Sequence, residues 1–224
     1  MAIYVTGDIH RSLLKLNHIK YLAGLTLTKD DILIIAGDFG LLWYGELIDS
    51  KLLTELNNKP WTTLFIDGNH ENFDLLDKLP TVEKYGNDVG YVRDSIYHLR
   101  RGRVYDILGT SIFTFGGGLS IDKDTRTEGV DWWSREYAST EELDLAWKSI
   151  HKHHKVDYVI SHTPPSNILE YMVTNKFLDL TGEHLRDISQ VLLYDHWYFG
   201  HMHVDAEITE KFTCVYNKFI KLEV

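Results

Sequence analysis

The chain has 224 residues, 44% of them hydrophobic and 25% charged, and a formal net charge of −10. Those are globular proportions. The acidic balance argues against broad electrostatic binding to duplex DNA, which needs basic surface. It leaves phosphate substrates open, because a bound divalent cation reverses the sign of charge inside a cleft whatever the outer surface carries. No apolar run approaches the ~18 residues that span a bilayer, and the N-terminus enters a strand with no secretory pattern ahead of it. Cys214 is the only cysteine, expected to pack in a C-terminal strand. The expectation is one cytoplasmic domain over residues 1–224, without disulfides or membrane association.

In chain order, IYVT after Ala2 reads as a first strand. Leu13, Leu16, Ile19 and Leu22 fall at helical spacing and predict a helix over 12–23, begun by Ser12. The nearly all-apolar DILIIA at 31–36 suits a strand buried on both faces. A helix over 46–58 and a strand over 61–66 follow, an order that predicts a parallel sheet with right-handed crossovers. Residues 103–108 and 111–115, flanking Gly109 and Thr110, read as a hairpin. Ser120 to Arg135 is polar and reads as a loop. A helix over 139–154 starts with a capping box formed by Ser139 and Glu142. Strands at 156–160 and 196–199 enclose a helix near 181–193, and 204–223 alternates as two or three short antiparallel strands. The sum is an α/β chain of two mixed sheets with helices outside, with specificity expected in loops 39–46, 72–100 and 116–137.

Almost every apolar strand ends in residues that can bind metal. Asp8 and His10 follow IYVTG, Asp38 follows ILIIAG, Asn69 and His70 follow TLFIDG, His162 follows YVIS, and His201 and His203 follow YFG. If the strand ends converge, so do these side chains. Carboxylate and amide oxygens mixed with imidazole nitrogens suit a transition-metal pair. Asp8 with His10, and His201 with His203, are two residues apart, which in extended chain would turn both to one side. The seven candidate ligands are Asp8, His10, Asp38, Asn69, His162, His201 and His203, enough for two ions with positions left for water and substrate.

The set GDIH (7–10), GD (37–38), GNHE (68–71), SH (161–162) and GHMH (200–203) resembles the calcineurin-like metallophosphoesterase signature. The resemblance implies a four-layer α-β-β-α sandwich with a dinuclear site at the strand ends. It implies that Asp8, His10, Asp38 and His203 hold one ion, that Asp38 bridges, and that Asn69, His162 and His201 hold the other. Manganese is the expected metal, with iron and zinc as alternatives. His70 is then not a ligand. It is the expected general acid, as imidazolium, for direct attack by a metal-bridging hydroxide on a phosphomonoester, a phosphodiester or a nucleotide. GGGLSIDKDTR and GVDWWSRE are similar to bacterial and phage members of undefined substrate. FGLLWYG (39–45) departs from the phosphoprotein phosphatase branch, which carries Asp-Arg-Gly there to orient its histidine and grip phosphate.

Arg11 and Arg126 are candidate substrate contacts, weighed against a helix cap and a solvated loop respectively. Arg135 is expected to be a surface charge, and Trp132 and Trp133 to anchor their loop rather than stack a base. His151, His153 and His154 are expected to face water at a helix end. Asp67 and Glu71 read as turn-stabilising before ligand-orienting. The rival to an enzyme is a non-catalytic metal-binding scaffold, disfavoured because every ligand position and His70 are filled. The oligomeric state is left open by the sequence.

Overall fold

A computed structural model describes residues 1–173 and 178–223. The first half builds a mixed sheet from β1 (Ile3–Thr6), β2 (Ile32–Ala36) and β3 (Thr62–Ile66), which run parallel as the strand-helix alternation predicts. β6 (Ile96–Leu99) continues the parallel run beside β3, and β5 (Asn87–Arg93) and β4 (Thr81–Lys84) extend it antiparallel. β2 is buried along its whole length, as its apolar run requires.

The second sheet repeats the plan. β8 (Thr110–Phe115), β9 (Lys155–Ser161), β10 (Leu193–Phe199) and β12 (Phe212–Cys214) run parallel, flanked by antiparallel β7 (Arg103–Ile107) and β11 (Ala206–Thr209). β13 (Ile220–Lys221) leaves this sheet and pairs antiparallel with β1 in the other.

Three apolar layers hold the sandwich. Ile34, Leu64 and Ile66 meet Ile112, Ile160 and Val215 between the sheets. Leu33, Ile35 and Phe65 face Leu16, Leu53 and Leu56 of the outer helices α1 (Leu14–Asn17) and α3 (Glu46–Asn57). Phe113, Val159, Trp197 and Phe199 face Ala146, Ile150, Leu185 and Ile188, whose positions define α5 (Thr140–His153) and α7 (Leu180–Val191). The expected four-layer α-β-β-α arrangement is observed.

Four local readings need correction. The helix over 12–23 breaks at His18 into α1 and α2 (Ile19–Ala23), stopped by Gly24 in the left-handed region at φ 67°. Segment 72–100 is not a loop. After α4 (Phe73–Leu76) it supplies β4, β5 and β6, hidden in the sequence because β4 is half-exposed and largely polar. The hairpin turns on Leu108 and Gly109, both at positive φ, so Thr110 belongs to β8. The tail is not simply antiparallel, since β12 joins β10 in parallel. Among the described residues no helix is long and apolar enough to cross a membrane.

The capping box of α5 forms as read. Ser139 Oγ accepts from Glu142 N at 3.2 Å, and Glu142 Oε2 accepts from Ser139 N at 2.8 Å. Ser139→Ala should lower unfolding stability by about 1 kcal/mol in a denaturant titration.

Candidate metal centre

Each sheet has a parallel centre, so loops leave several neighbouring strands at the same end, where open α/β sheets place their sites. Asp8 and His10 follow β1, Asp38 follows β2, and Asn69 and His70 follow β3. His162 follows β9, and His201 and His203 follow β10. The two sheets present these ends to each other, and all eight side chains meet there.

Asp8, His10, Asp38 and His203 offer ligand atoms that lie within 4.8 Å of one another, a group able to hold a metal ion. The Nε2 atoms of His10 and His203 face each other at 2.8 Å. Asp8 Oδ2 lies 3.1 Å from His203 Nε2, yet this buried oxygen has no hydrogen bond of good geometry. Its partner Oδ1 accepts from His201 N at 3.1 Å.

Asp38 faces both halves of the centre. Its Oδ2 is 3.6 Å from His10 Nε2, and its Oδ1 is 3.3 Å from His162 Nε2. On that second side His162 Nε2 meets Asn69 Oδ1 at 3.0 Å, and the rings of His162 and His201 lie 4.9 Å apart. His162 Nδ1 donates to the Ala36 carbonyl at 2.9 Å, which leaves the Nε2 lone pair of a neutral ring facing the centre. Asp8 and Asp38 are 3% and 1% exposed, and among the described residues neither has a lysine or arginine ion-pair partner. Two buried carboxylates answered only by imidazoles fit a cation.

The electrostatics follow from that crowding. Burial alone would raise Asp8, but the close contact with His203 and the other nearby imidazoles hold it at about 2. Burial and the neighbouring His162 push His201 down to about 4. His162 is raised because Asp38 and Asp8 outweigh its own burial, and His203 is raised chiefly by its close contact with Asp8.

The backbone is also unusual here. His10, Arg11, Asp38, His201 and His203 all have positive φ, between 42° and 65°. Asp8 with His10, and His201 with His203, therefore converge through tight left-handed turns, not through the extended chain expected from a spacing of two. Close approach explains two of the motif glycines. A Cβ on Gly68 would lie 2.0 Å from Asp38 Oδ1, and one on Gly37 would lie 2.1 Å from His162 Nδ1.

The sequence profile of the calcineurin-like phosphoesterases matches residues 1–205. The chain belongs to the calcineurin-like phosphoesterase family. This is a family of phosphoester hydrolases. A lariat debranching enzyme of Schizosaccharomyces pombe is 30% identical over 220 residues, which cover 84% of this chain and 44% of that protein. The chain thus spans less than half the length of that curated relative. A Saccharomyces cerevisiae protein serine/threonine phosphatase, described as similar to human phosphatase PP5, aligns over 96% of this chain and 67% of its own. Identity there is 15% and the TM-score is 0.36, and nothing below rests on it.

His70 sits 5.3 Å, ring to ring, from His10, and its backbone N–H donates to Asp38 Oδ1 at 2.8 Å. The aspartate that would orient this histidine in the phosphatase branch has no counterpart in the sequence. Arg126 touches the ring instead, with Nη1 3.2 Å from His70 Nδ1. A guanidinium can only donate, so Nδ1 accepts and the ring hydrogen sits on Nε2. Burial, opposed by Asp38 and reinforced by Arg126, lowers the pKa of His70. Arg126 also pairs with Asp122 at 2.8 Å. Arg11 is paired with the buried Asp49, and its guanidinium lies over the Tyr44 ring at 4.8 Å.

The remaining expectations resolve one by one. Arg135 pairs with Asp77 on the surface. Trp133 is buried, donates to Asp74 and packs edge-on against Trp43, so it anchors its loop as expected. His151, His153 and His154 are exposed. Cys214 is buried in β12. Glu71 accepts from Phe39 N and Gly40 N at 2.6 and 3.1 Å, bracing the turn that carries Asp38.

Two supports were not read from the sequence. Lys15 donates to the Gly7, Asp8 and Tyr216 carbonyls, and Tyr216 stacks on His203 at 4.8 Å. Arg101, fully buried, binds Asp67 and the carbonyls of Arg135 and Glu136. Burial would raise Asp67, but Arg101, then His98, holds it far below the usual carboxylate range. Its share of stability is therefore full above the unfolded value of 3.8 and lost as pH falls below that through the folded value. Arg101→Met, which strands the Asp67 charge, should cost ~3–5 kcal/mol near neutral pH. Denaturant titrations should show that deficit shrinking at acid pH.

Proposed function

We propose that the chain is a metal-dependent phosphoesterase with a dinuclear centre, working on phosphate esters in the cytoplasm as one domain. One observation carries this reading: Asp8 and Asp38 are buried side by side with four imidazoles and an amide, with no lysine or arginine ion pair among the described residues. Asp8, His10 and His203 would hold one ion, Asn69, His162 and His201 the other, and Asp38 would serve both through its separate oxygens. Manganese is the proposed metal, with iron or zinc as alternatives. Bound there, the ions supply Lewis acidity toward phosphate oxygens and an acidified water as nucleophile.

The chain's own residues do the rest. The backbone N–H of His70 holds Asp38 in place, and the Ala36 carbonyl fixes the tautomer of His162. Once protonated to imidazolium, His70 would give its Nε2 proton to the departing oxygen as the ester bond breaks and return to the neutral ring, a contribution worth about 10²–10⁴-fold for a positioned acid. Arg126 fixes that ring from behind. Arg11 and Arg126 flank the position of the phosphate as hydrogen-bond donors. The completeness of this set argues against a non-catalytic scaffold.

Asp38→Asn should abolish activity and also weaken manganese binding, measured separately by calorimetry. Retained tight binding of both ions would remove Asp38 from the bridging role. His70→Asn should keep both ions and slow hydrolysis of alkyl esters far more than of nitrophenyl esters, whose leaving groups need no proton. Equal slowing of the two would remove His70 from the acid role.

A further inference from the structure

His70 stands between two clefts. The larger, about 380 Å³, opens over Asp38, Asn69 and His201 and continues past Arg126 along Leu119, Ile121, Leu169 and Met202. The smaller, about 210 Å³, runs from His10 and His70 over Arg11, Trp43 and Tyr44. A reacting phosphate beside His70 therefore has room for an organic arm on either side. A monoester has one such arm, and a diester has two.

The charge of the walls points the same way. Among the described residues, the basic side chains lining either cleft, apart from histidines, are Arg11 and Arg126. Arg11 is neutralised by Asp49 and Arg126 by Asp122. Asp122 and Asp179 also line the larger cleft. The walls therefore supply donors without net positive charge. A phosphomonoester dianion gains little from them, whereas a diester carries one negative charge fewer. The arms have apolar surface to meet: Ile121 is 74% exposed and Tyr44 is 62% exposed, one in each cleft. Exposed apolar walls flanking a polar centre suit planar, weakly polar groups.

We propose that the substrate is a phosphodiester with an aromatic or similarly apolar arm in each cleft. This rests on the phosphoesterase reading above. Water oxygen forms the new P–O bond, one ester P–O bond breaks, and the departing oxygen takes a proton. The products are an alcohol and a phosphomonoester, whose extra negative charge the same walls hold poorly, favouring release.

The test compares bis(4-nitrophenyl) phosphate with 4-nitrophenyl phosphate on the manganese-loaded protein, since the two share a leaving group. The expected kcat/KM is about tenfold or more higher for the diester. Tyr44→Ala and Ile121→Ala, both at exposed positions, should each lower the diester value ~5-fold or more relative to the monoester. Asp122→Asn, which leaves the Arg126 charge uncompensated, should move the ratio toward the monoester. A monoester preference, or a ratio that none of the three variants moves, overturns the inference while leaving the phosphoesterase intact. No turnover of either ester with manganese, iron or zinc removes both.

Discussion

The whole arrangement depends on keeping Asp8 and Asp38 ionised while buried at the end of a β-sandwich. An isolated carboxylate in such a place is costly, and removing its counter-charge costs more than any single apolar contact returns. The chain meets this with imidazoles from both sheets and with backbone N–H groups. Asp8 accepts from His201, and Asp38 accepts from His70. Each carboxylate thus holds a loop from a different strand, so the centre and the packing of the loops around it form together.

A second tier secures the loops that shape access. Asp67 lies two residues before Asn69 and is gripped by Arg101, whose other donors reach carbonyls at 135 and 136. Trp133 packs on Trp43, joining the 116–137 segment to the 39–46 segment. The two walls of the site therefore lean on each other. Arg126 is brought to His70 by a segment fastened at both ends, which makes its contact with the ring a feature of the fold.

The clustering of the candidate ligands was legible because each follows its strand closely in sequence. An apolar run such as ILIIA fixes a buried strand, and the residue just past its end has to emerge at the rim. The parallel start of the first sheet was legible for the same reason. What stayed hidden depended on distant partners. β4, with exposed polar residues, exists because β5 offers it a ladder, and nothing local in TVEK announces it. Arg126 and Asp122 look like loop charges until His70, more than fifty positions away, is seen against them. The conformation of His10 and His203 was misjudged because spacing of two suggests extended chain, whereas turn geometry is set by what surrounds it.

That turn geometry has a consequence for how variants behave. His10, Asp38, His201 and His203 sit in a region of backbone space that asparagine and glycine tolerate better than they do. Chemistry therefore occupies the positions that conformational preference would assign to other residues. Replacing such a residue with glycine relieves local strain as it removes a candidate ligand, so loss of the proposed metal centre and gain of robustness are coupled outcomes of one change.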